Sequence, residues 1–556
     1  MAMSRRTLLQ LFLKRTSFSS TLSILPEAIG ADYECIHAKQ SISAKEQYAK
    51  PYADIPGPRE LPIIGNAWRF APIIGQHKIE ELDKVMLQLH EVYGKIVKVS
   101  GLIGHPDLLF IYDGDEIRNT FRREEILPHR PAMPSLHHYK GELHKDFFGD
   151  CPGIIGVHGQ KWDNFRSKVQ QVMLNANAVK KYVSPLNDIA DDFLIHMEGL
   201  LDDQRELPGH FLHELYKWAL ESVCRVSLDT RLGCVSKNPN PESKKIIEAI
   251  NTFFWTVAEV ELRLPVWRFY KTKTFKDYIG ALDSFRELCM KHIEIAMSKL
   301  NLEQEVNSEH VSIVEQILHE TRNPKIAAVL ALDLMLVGVD TTSVAISSTM
   351  YQLSQNEDKQ EKLFNELKQA LVDKDSKVTS ETLQQLPYLK ACIKETLRMY
   401  PVVLGNGRSL QSDAVICGYN VPKGVISHIL FFLLSPDIQF SFPDVLTLQT
   451  HVIFPHYVLS NKESYFPEPS KFIPERWLKN DEQTQNDIHR FVSLPFGYGR
   501  RTCIGRRFAE AELAILLSKI FRKYHVKYNY GTMNYRVSPT YIPDKPLKFQ
   551  LVERDS

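Results

Sequence analysis

Pro495-Phe-Gly-Tyr-Gly-Arg-Arg-Thr-Cys503-Ile-Gly-Arg-Arg507 is the stretch that decides how this chain is read. One cysteine stands in a loop of small and basic residues, and an apolar helical pattern, Phe508 to Leu517, follows at once. Gly497, Gly499 and Gly505 allow turns that a β-carbon forbids and let backbone approach a flat ligand. The loop feeds a helix N-terminus, whose free N–H groups and positive dipole end favour a thiolate over a thiol. Arg500, Arg501, Arg506 and Arg507 add positive charge suited to the acidic edge of a cofactor. A thiolate held against a planar, acid-bearing ligand is the setting of a cysteine that binds haem iron axially.

Outward from this loop, composition sets the frame. The chain has 556 residues, 44% hydrophobic and 24% charged, with a formal net charge of +1. That is an ordinary globular balance. The length allows one large body with a deep core, or two to three domains. Near-zero charge excludes the net basic domain of a nucleic-acid binder. No two of the eight cysteines are separated by two residues, so no zinc pattern or disulfide framework is implied. Residues 1–30 carry Arg5, Arg6, Lys14 and Arg15 among Ser, Thr and Leu, and the first acid is Glu27. This is the composition of a mitochondrial transit peptide. No run there approaches the ~20 apolar residues of a membrane span. Residues 31–53 read as a linker, and Asp54-Ile-Pro-Gly-Pro58 as the stiff entry to one domain spanning 54–556. Helices are expected at 186–201, 241–257, 276–300, 326–355 and 358–373. Short strands are expected at 95–112, 414–421, 450–459 and 545–552. The fold class is therefore mainly α with small β-sheets, in a single body.

Further motifs lie upstream. Lys394-Glu395-Thr-Leu-Arg398-Met-Tyr-Pro401 places Glu395 and Arg398 three apart on one helix face. Alone, such a pair is an everyday surface contact worth little. Phe472-Ile-Pro-Glu-Arg476-Trp477 supplies another arginine. Asp333-Leu-Met-Leu-Val-Gly338-Val-Asp340-Thr341-Thr342-Ser343 puts a glycine and paired threonines inside a long apolar helix, where both weaken it. Threonine hydroxyls there can bond back into the helix and distort it. Trp162 and Arg166 stand four apart, both donate hydrogen bonds, and arginine grips carboxylates as a fork. Arg408 is a further candidate, with His129 and Arg130 weaker ones. Lys390 and Lys394 also share a helix face. Residues 264–273 mix aromatics with Arg and Lys, which suits a membrane interface or a plain connection between helices.

Phe496, Gly499, Arg501, Cys503 and Gly505 fall on the pattern Phe-x-x-Gly-x-Arg-x-Cys-x-Gly. With the other motifs in order behind it, the chain from about residue 50 onward resembles the cytochrome P-450 family, its mitochondrial clan and arthropod members above all. The resemblance implies a buried haem b (iron protoporphyrin IX) with Cys503 as its iron ligand. It implies that Phe496 and Arg501 flank the haem and that Trp162, Arg166 and Arg408 meet its propionates. Gly338 makes room above it, and Asp340 and Thr341 pass protons to the oxygen being reduced. Glu395, Arg398 and Arg476 form a buried charge cluster, while Lys390, Lys394, Arg506 and Arg507 dock an acidic ferredoxin. Val337 departs from the Ala or Gly usual at its position, which narrows the site.

The activity so implied is insertion of one oxygen atom from O2 into an apolar substrate. Electrons come from NADPH through a ferredoxin reductase and an adrenodoxin-like ferredoxin. The location is the mitochondrial matrix, with 264–273 touching the inner membrane. Expected pocket walls are 135–156, 257–264, 330–340 and 402–406. Sterols, ecdysteroid precursors, cuticle-related lipids and foreign compounds all suit such walls. A haem-thiolate isomerase or dehydratase and a non-catalytic binding protein are the alternatives; the Asp340–Thr341 pair and the basic face argue against the first.

One segment does not fit the family pattern. Residues 425–449 separate Val-Pro-Lys-Gly424 from Thr450-His-Val-Ile-Phe454, which joined directly run as the family does. The block has no Lys or Arg and only two acids, Asp437 and Asp444. Valine codons begin GT and a glutamine codon can be CAG, so the block could open and close like a retained intron. The alternative is a true surface insertion, which loop entropy tolerates.

Overall fold

Asn323 and Pro324 fix where the longest helix begins. The Asn323 side chain accepts hydrogen bonds from the Lys325 and Ile326 N–H groups, and Pro324 occupies the first turn, where its missing N–H costs nothing. The computed structural model describes residues 48–62, 64–71, 74–130, 133–236, 238–300, 311–425, 448–478 and 490–554. The expected transit peptide and the interior of 425–449 lie outside the described residues.

Helices of eight or more residues are numbered in chain order: α1 (Leu82–Tyr93), α2 (Gly114–Arg122), α3 (Gly159–Leu174), α4 (Val183–Gly199), α5 (Phe211–Leu228), α6 (Pro241–Leu262), α7 (Lys273–Ser298), α8 (Ile313–Thr321), α9 (Pro324–Gln355), α10 (Glu357–Ala370), α11 (Pro387–Met399) and α12 (Arg506–Lys523). Each expected helix is present, with ends shifted by a few residues. By length and composition α9 could cross a membrane, but 78% of its most apolar window is buried inside the protein. It is a core helix, packed against α5, α8, α11 and α12.

The strands are short: β1 (Ile96–Val99), β2 (Leu108–Ile111), β3 (Asn406–Ser409), β4 (Ala414–Ile416), β5 (Tyr419–Val421), β6 (Gly424–Val425), β7 (Leu448–Gln449), β8 (His451–Phe454), β9 (Tyr524–Lys527), β10 (Tyr535–Ser538), β11 (Thr540–Pro543) and β12 (Gln550–Glu553). One sheet runs β1-β2-β8-β3, with β2 and β8 parallel, and the other strands pair in twos. All four expected strand runs are corrected. The 95–112 and 414–421 runs are hairpins, β1 with β2 and β4 with β5. The 450–459 run stops at Pro455, which cannot donate to a ladder, and continues as a short helix, His456–Ser460. The 545–552 run becomes strand only at Gln550.

Among the described residues two main apolar cores result, with a third small cluster at Leu404, Val537 and Tyr541. The larger gathers the helices around α9; the smaller lies between the four-stranded sheet and α1 and α2, with Val97, Leu109, Ile111, Phe121, Val452 and Phe454 buried. The ends of the 425–449 block meet: Gly424 pairs with Gln449, and the Thr450 N–H donates to the Lys423 carbonyl at 3.1 Å.

Candidate active site

The cysteine loop closes on itself. The Cys503 N–H donates to the Phe496 carbonyl at 2.8 Å, and the Thr502 hydroxyl donates to the same oxygen at 3.2 Å. Gly497 and Gly499 hold φ of 70° and 73°, where a side chain is strained. At Gly499 a β-carbon would also sit 2.7 Å from Glu124 Oε2. Gly505 caps α12, and its N–H bonds the Cys503 sulfur. Cys503 keeps accessible surface although protein encloses it, and Arg130 does the same. Both therefore border an internal hollow. Burial pushes the Cys503 thiol above its ordinary range, while the Gly505 N–H and the charges of Arg130, Arg166 and Arg506 pull it back without reversing it. A bound metal cation would favour the ionised form of Cys503.

On one edge of the hollow cationic and N–H donors collect, with Glu124 as an acid among them. Arg501 donates from Nε to the Pro128 carbonyl at 2.9 Å and from Nη1 to the Val157 carbonyl at 3.0 Å, lies 3.6 Å from the Trp162 ring centre, and leaves Nη2 without a partner. Trp162 is 0% exposed and its Nε1 has no partner. Arg166 Nη2 donates to the Thr502 carbonyl at 3.0 Å, and its Nε is unpartnered. Burial lowers the Arg166 guanidinium to about 10. Burial and the charges of Arg130, Arg408 and Arg166 lower Arg501 to about 9. Buried donors left unpaired are costly, so this edge fits a ligand that brings carboxylates. Arg408 Nε bonds Glu124, and its Nη1 and Nη2 donate to the Gly407 and Tyr498 carbonyls at 2.8 and 3.1 Å. Three of its five N–H donors are thus engaged within the protein.

Sequence reasoning missed His158. It stacks on His129 at 4.0 Å between ring centres, and its Nδ1 is buried and unpartnered. Burial lowers His129 to about 4 and His158 to about 2, so both are neutral near pH 7. The signal was present, since His158 lies four residues before Trp162, as Trp162 lies four before Arg166.

Opposite the loop, α9 is buried along most of its middle. A stripe at Leu334, Val337, Gly338 and Thr341 keeps partial exposure. The spacing i, i+3, i+4, i+7 is one helix face, and it marks the far wall of the hollow. A β-carbon at Gly338 would meet only Val223, at 3.6 Å. The Thr341 hydroxyl donates back to the Val337 carbonyl at 2.7 Å. Asp340 points elsewhere: Tyr216 Oη donates to its Oδ1 at 2.9 Å and Thr540 Oγ1 to its Oδ2 at 2.8 Å. Burial raises Asp340 to about 6.

Two walls are pinned by carboxylates that the sequence did not reveal as anchors. Lys140 Nζ reaches Asp333 Oδ1 at 2.8 Å with both side chains about 5–6% exposed, and Asp333 Oδ2 accepts from the Ile154 N–H at 2.6 Å. Glu261 accepts from the Ser135 N–H at 2.9 Å and from its hydroxyl, joining the 135–156 and 257–264 walls.

Behind the cysteine loop, the expected charge cluster is present. Arg398 grips Glu395 as a fork, at 2.9 and 2.8 Å, and Arg476 Nε donates to Glu395 Oε1 at 3.1 Å. Trp477 Nε1 and the Ile473 N–H complete the shell of Glu395, at 2.8 and 3.1 Å. Lys390 and Lys394 on α11 and Arg506 and Arg507 on α12 are exposed. Lys390 feels both Lys394 and Glu510, and Arg506 bonds Glu510 at 2.8 Å, so the basic residues of the two helices are neighbours. The 264–273 segment exposes Leu264, Phe269 and Tyr270, the last two by 62% and 69%.

Among the described residues no group of three His, Cys, Asp or Glu could hold a metal ion. A lone cysteine can bind only a metal that carries its other ligands with it, as haem iron does. With unpaired donors suited to propionates on one edge, the site is that of a haem-thiolate protein. The chain belongs to the Cytochrome P450 family, whose profile matches residues 55–444 and 445–551. It is 56% identical over 526 residues to "Probable cytochrome P450 49a1" of Drosophila melanogaster, covering 93% of this chain and 85% of that one. "Probable cytochrome P450 301a1, mitochondrial" of the same fly is 44% identical, covering 94% and 91%. "Probable cytochrome P450 12a5, mitochondrial" is 32% identical, covering 91% of each. A solved structure, "Crystal structure of cytochrome P450DA heme domain", shares the fold with a TM-score of 0.69 at 16% identity, over 91% of this chain and 98% of that one. The protein is accordingly a monooxygenase of the oxidoreductase class, with haem b as its cofactor.

Proposed function

We propose that this chain is a mitochondrial monooxygenase that inserts one oxygen atom into an apolar steroid, lipid or xenobiotic, with electrons from NADPH delivered through a ferredoxin reductase and an acidic ferredoxin. The observation that carries the reading is the arrangement about one hollow. Cys503 and the Leu334–Thr341 stripe both keep accessible surface within the body, and α11 and α12 carry an exposed basic face, which supports the reading. Bound haem supplies the oxygen and electron chemistry; the residues hold, shield and position. Cys503 takes the iron, and Phe496 packs beside it. Trp162, Arg166 and Arg501 hold the propionate edge, with Arg130 and His158 as added donors and Arg408 fixing the edge through Glu124. Gly338 keeps the far wall low, Thr341 offers a hydroxyl to the oxygen side, and Asp340 supplies the proton store. Lys390, Lys394, Arg506 and Arg507 receive the ferredoxin.

Relatives named mitochondrial and the basic, acid-poor 1–30 segment support delivery to the matrix. The exposed aromatics of 264–273 support contact with the inner membrane. Residues 425–449 are proposed to be dispensable. The test is reconstitution with NADPH, reductase and ferredoxin over a panel of sterols, lipids and xenobiotics under 18O2. The expected result is a product carrying one labelled oxygen, formed only when both electron carriers are present. A rearranged product without label, formed without carriers, contradicts the proposal.

A further inference from the structure

The geometry points to Tyr216 and Thr540 as positioning residues that clasp Asp340 as a carboxylate, turned away from the cavity stripe. The inference rests on the reading of Asp340 as the proton store for Thr341. Successive helix residues are about 100° apart around the axis. Thr341 lies on the accessible stripe, and Asp340, 3% exposed, faces α5 and the β10–β11 hairpin instead. Each carboxylate oxygen has one donor: Tyr216 Oη at 2.9 Å from α5 and Thr540 Oγ1 at 2.8 Å from β11.

Hydrogen bonds to a charged acceptor stabilise the charged form. Burial works the other way, and these two hydroxyls are what oppose it at Asp340. Among the described residues no lysine or arginine pairs with this acid. The charge of Arg536 bears on Tyr216. Arg536 is 30% exposed and forms an ion pair with Asp544 at 2.9 Å. On the Thr540 side the hairpin is itself anchored, since the Tyr541 N–H donates to the Val402 carbonyl at 2.9 Å. The acid is thus held between one hydroxyl from α5 and one from β11.

The test is an infrared titration of the Asp340 carboxyl band in the full-length, haem-loaded ferric protein, with Asp340→Asn as the subtraction reference. It needs no turnover. The parent should titrate near 6. Thr540→Val and Tyr216→Phe should each move the midpoint up by about one pH unit, a roughly tenfold gain in proton affinity, because each removes a donor to the ionised form. Thr540→Ser keeps the hydroxyl and should restore the parent value. In turnover, the fraction of NADPH electrons reaching product should fall several-fold in the two hydroxyl-less variants, with peroxide rising. Midpoints unmoved in both, or moved equally by Thr540→Ser, overturn the clasp. Shifted midpoints together with normal coupling in Asp340→Asn support the clasp and sink the relay reading instead.

Discussion

Glu395 and Asp333 are both buried carboxylates paired with buried cations. Their partners differ in distance along the chain. Arg398 is three residues from Glu395 on the same helix face, while Lys140 is 193 residues from Asp333. The near pair also recruits Arg476, Trp477 and a backbone N–H, so Glu395 has a full shell of donors. The far pair, with the Ile154 N–H, ties the 140–154 segment to α9. Glu395 thus has one partner within its own helix and three more about 80 residues on, whereas every partner of Asp333 is distant in sequence.

The contrast can be broken first at its stronger end. Glu395→Leu should destabilise the protein by at least ~3–5 kcal/mol, because it strands two buried arginines. Denaturant unfolding and haem retention measure this, and a loss under ~1 kcal/mol would remove the cluster from the account. In the far pair, Asp333→Leu alone should cost about 3 kcal/mol, whereas Lys140→Met with Asp333→Leu should recover most of it. The double variant should differ from the parent in which substrates it accepts, read by substrate-induced changes in the haem spectrum across a panel. Identical preferences would make the pair a mere brace. A smaller effect is expected on the exposed face. Lys390→Glu with Lys394→Glu should weaken ferredoxin binding roughly tenfold at low salt, and the gap should shrink as salt screens it. Equal affinity across ionic strengths would move the docking face elsewhere. Smallest of all, joining Gly424 to Thr450 should change stability by no more than about 1–2 kcal/mol, mostly through loop closure, and should keep the haem spectrum. Collapse of the fold would show that 425–449 belongs to it.

The same division explains what could be read from the sequence. The 495–507 loop, the Trp162–Arg166 pair and the Glu395–Arg398 pair each lie within one element, so spacing alone placed their side chains together. Helices such as α9 were legible because burial on several faces makes a long apolar run. Tyr216 and Thr540 left no trace, because one hydroxyl comes from α5 and the other from a hairpin 324 residues further on, counted between the two positions. Glu124 engages Arg408 from 284 residues away, which no local pattern could report. The strands β3, β9, β10 and β11 escaped notice because runs of four residues carry too little alternation to stand out from loops. Asp340 and Thr341 are adjacent letters, and the helix places them on different faces, which the sequence order alone does not display.

The central claim is that Cys503 alone supplies the protein's ligand to haem iron. Its most direct test is the absorption spectrum of the reduced, carbon monoxide-bound protein, taken for the parent and for Cys503→Ala with haem supplied to both. The parent should give the thiolate-type band and the variant should lack it, since no other residue of the loop can donate a thiolate. A variant that keeps the thiolate-type band contradicts the account.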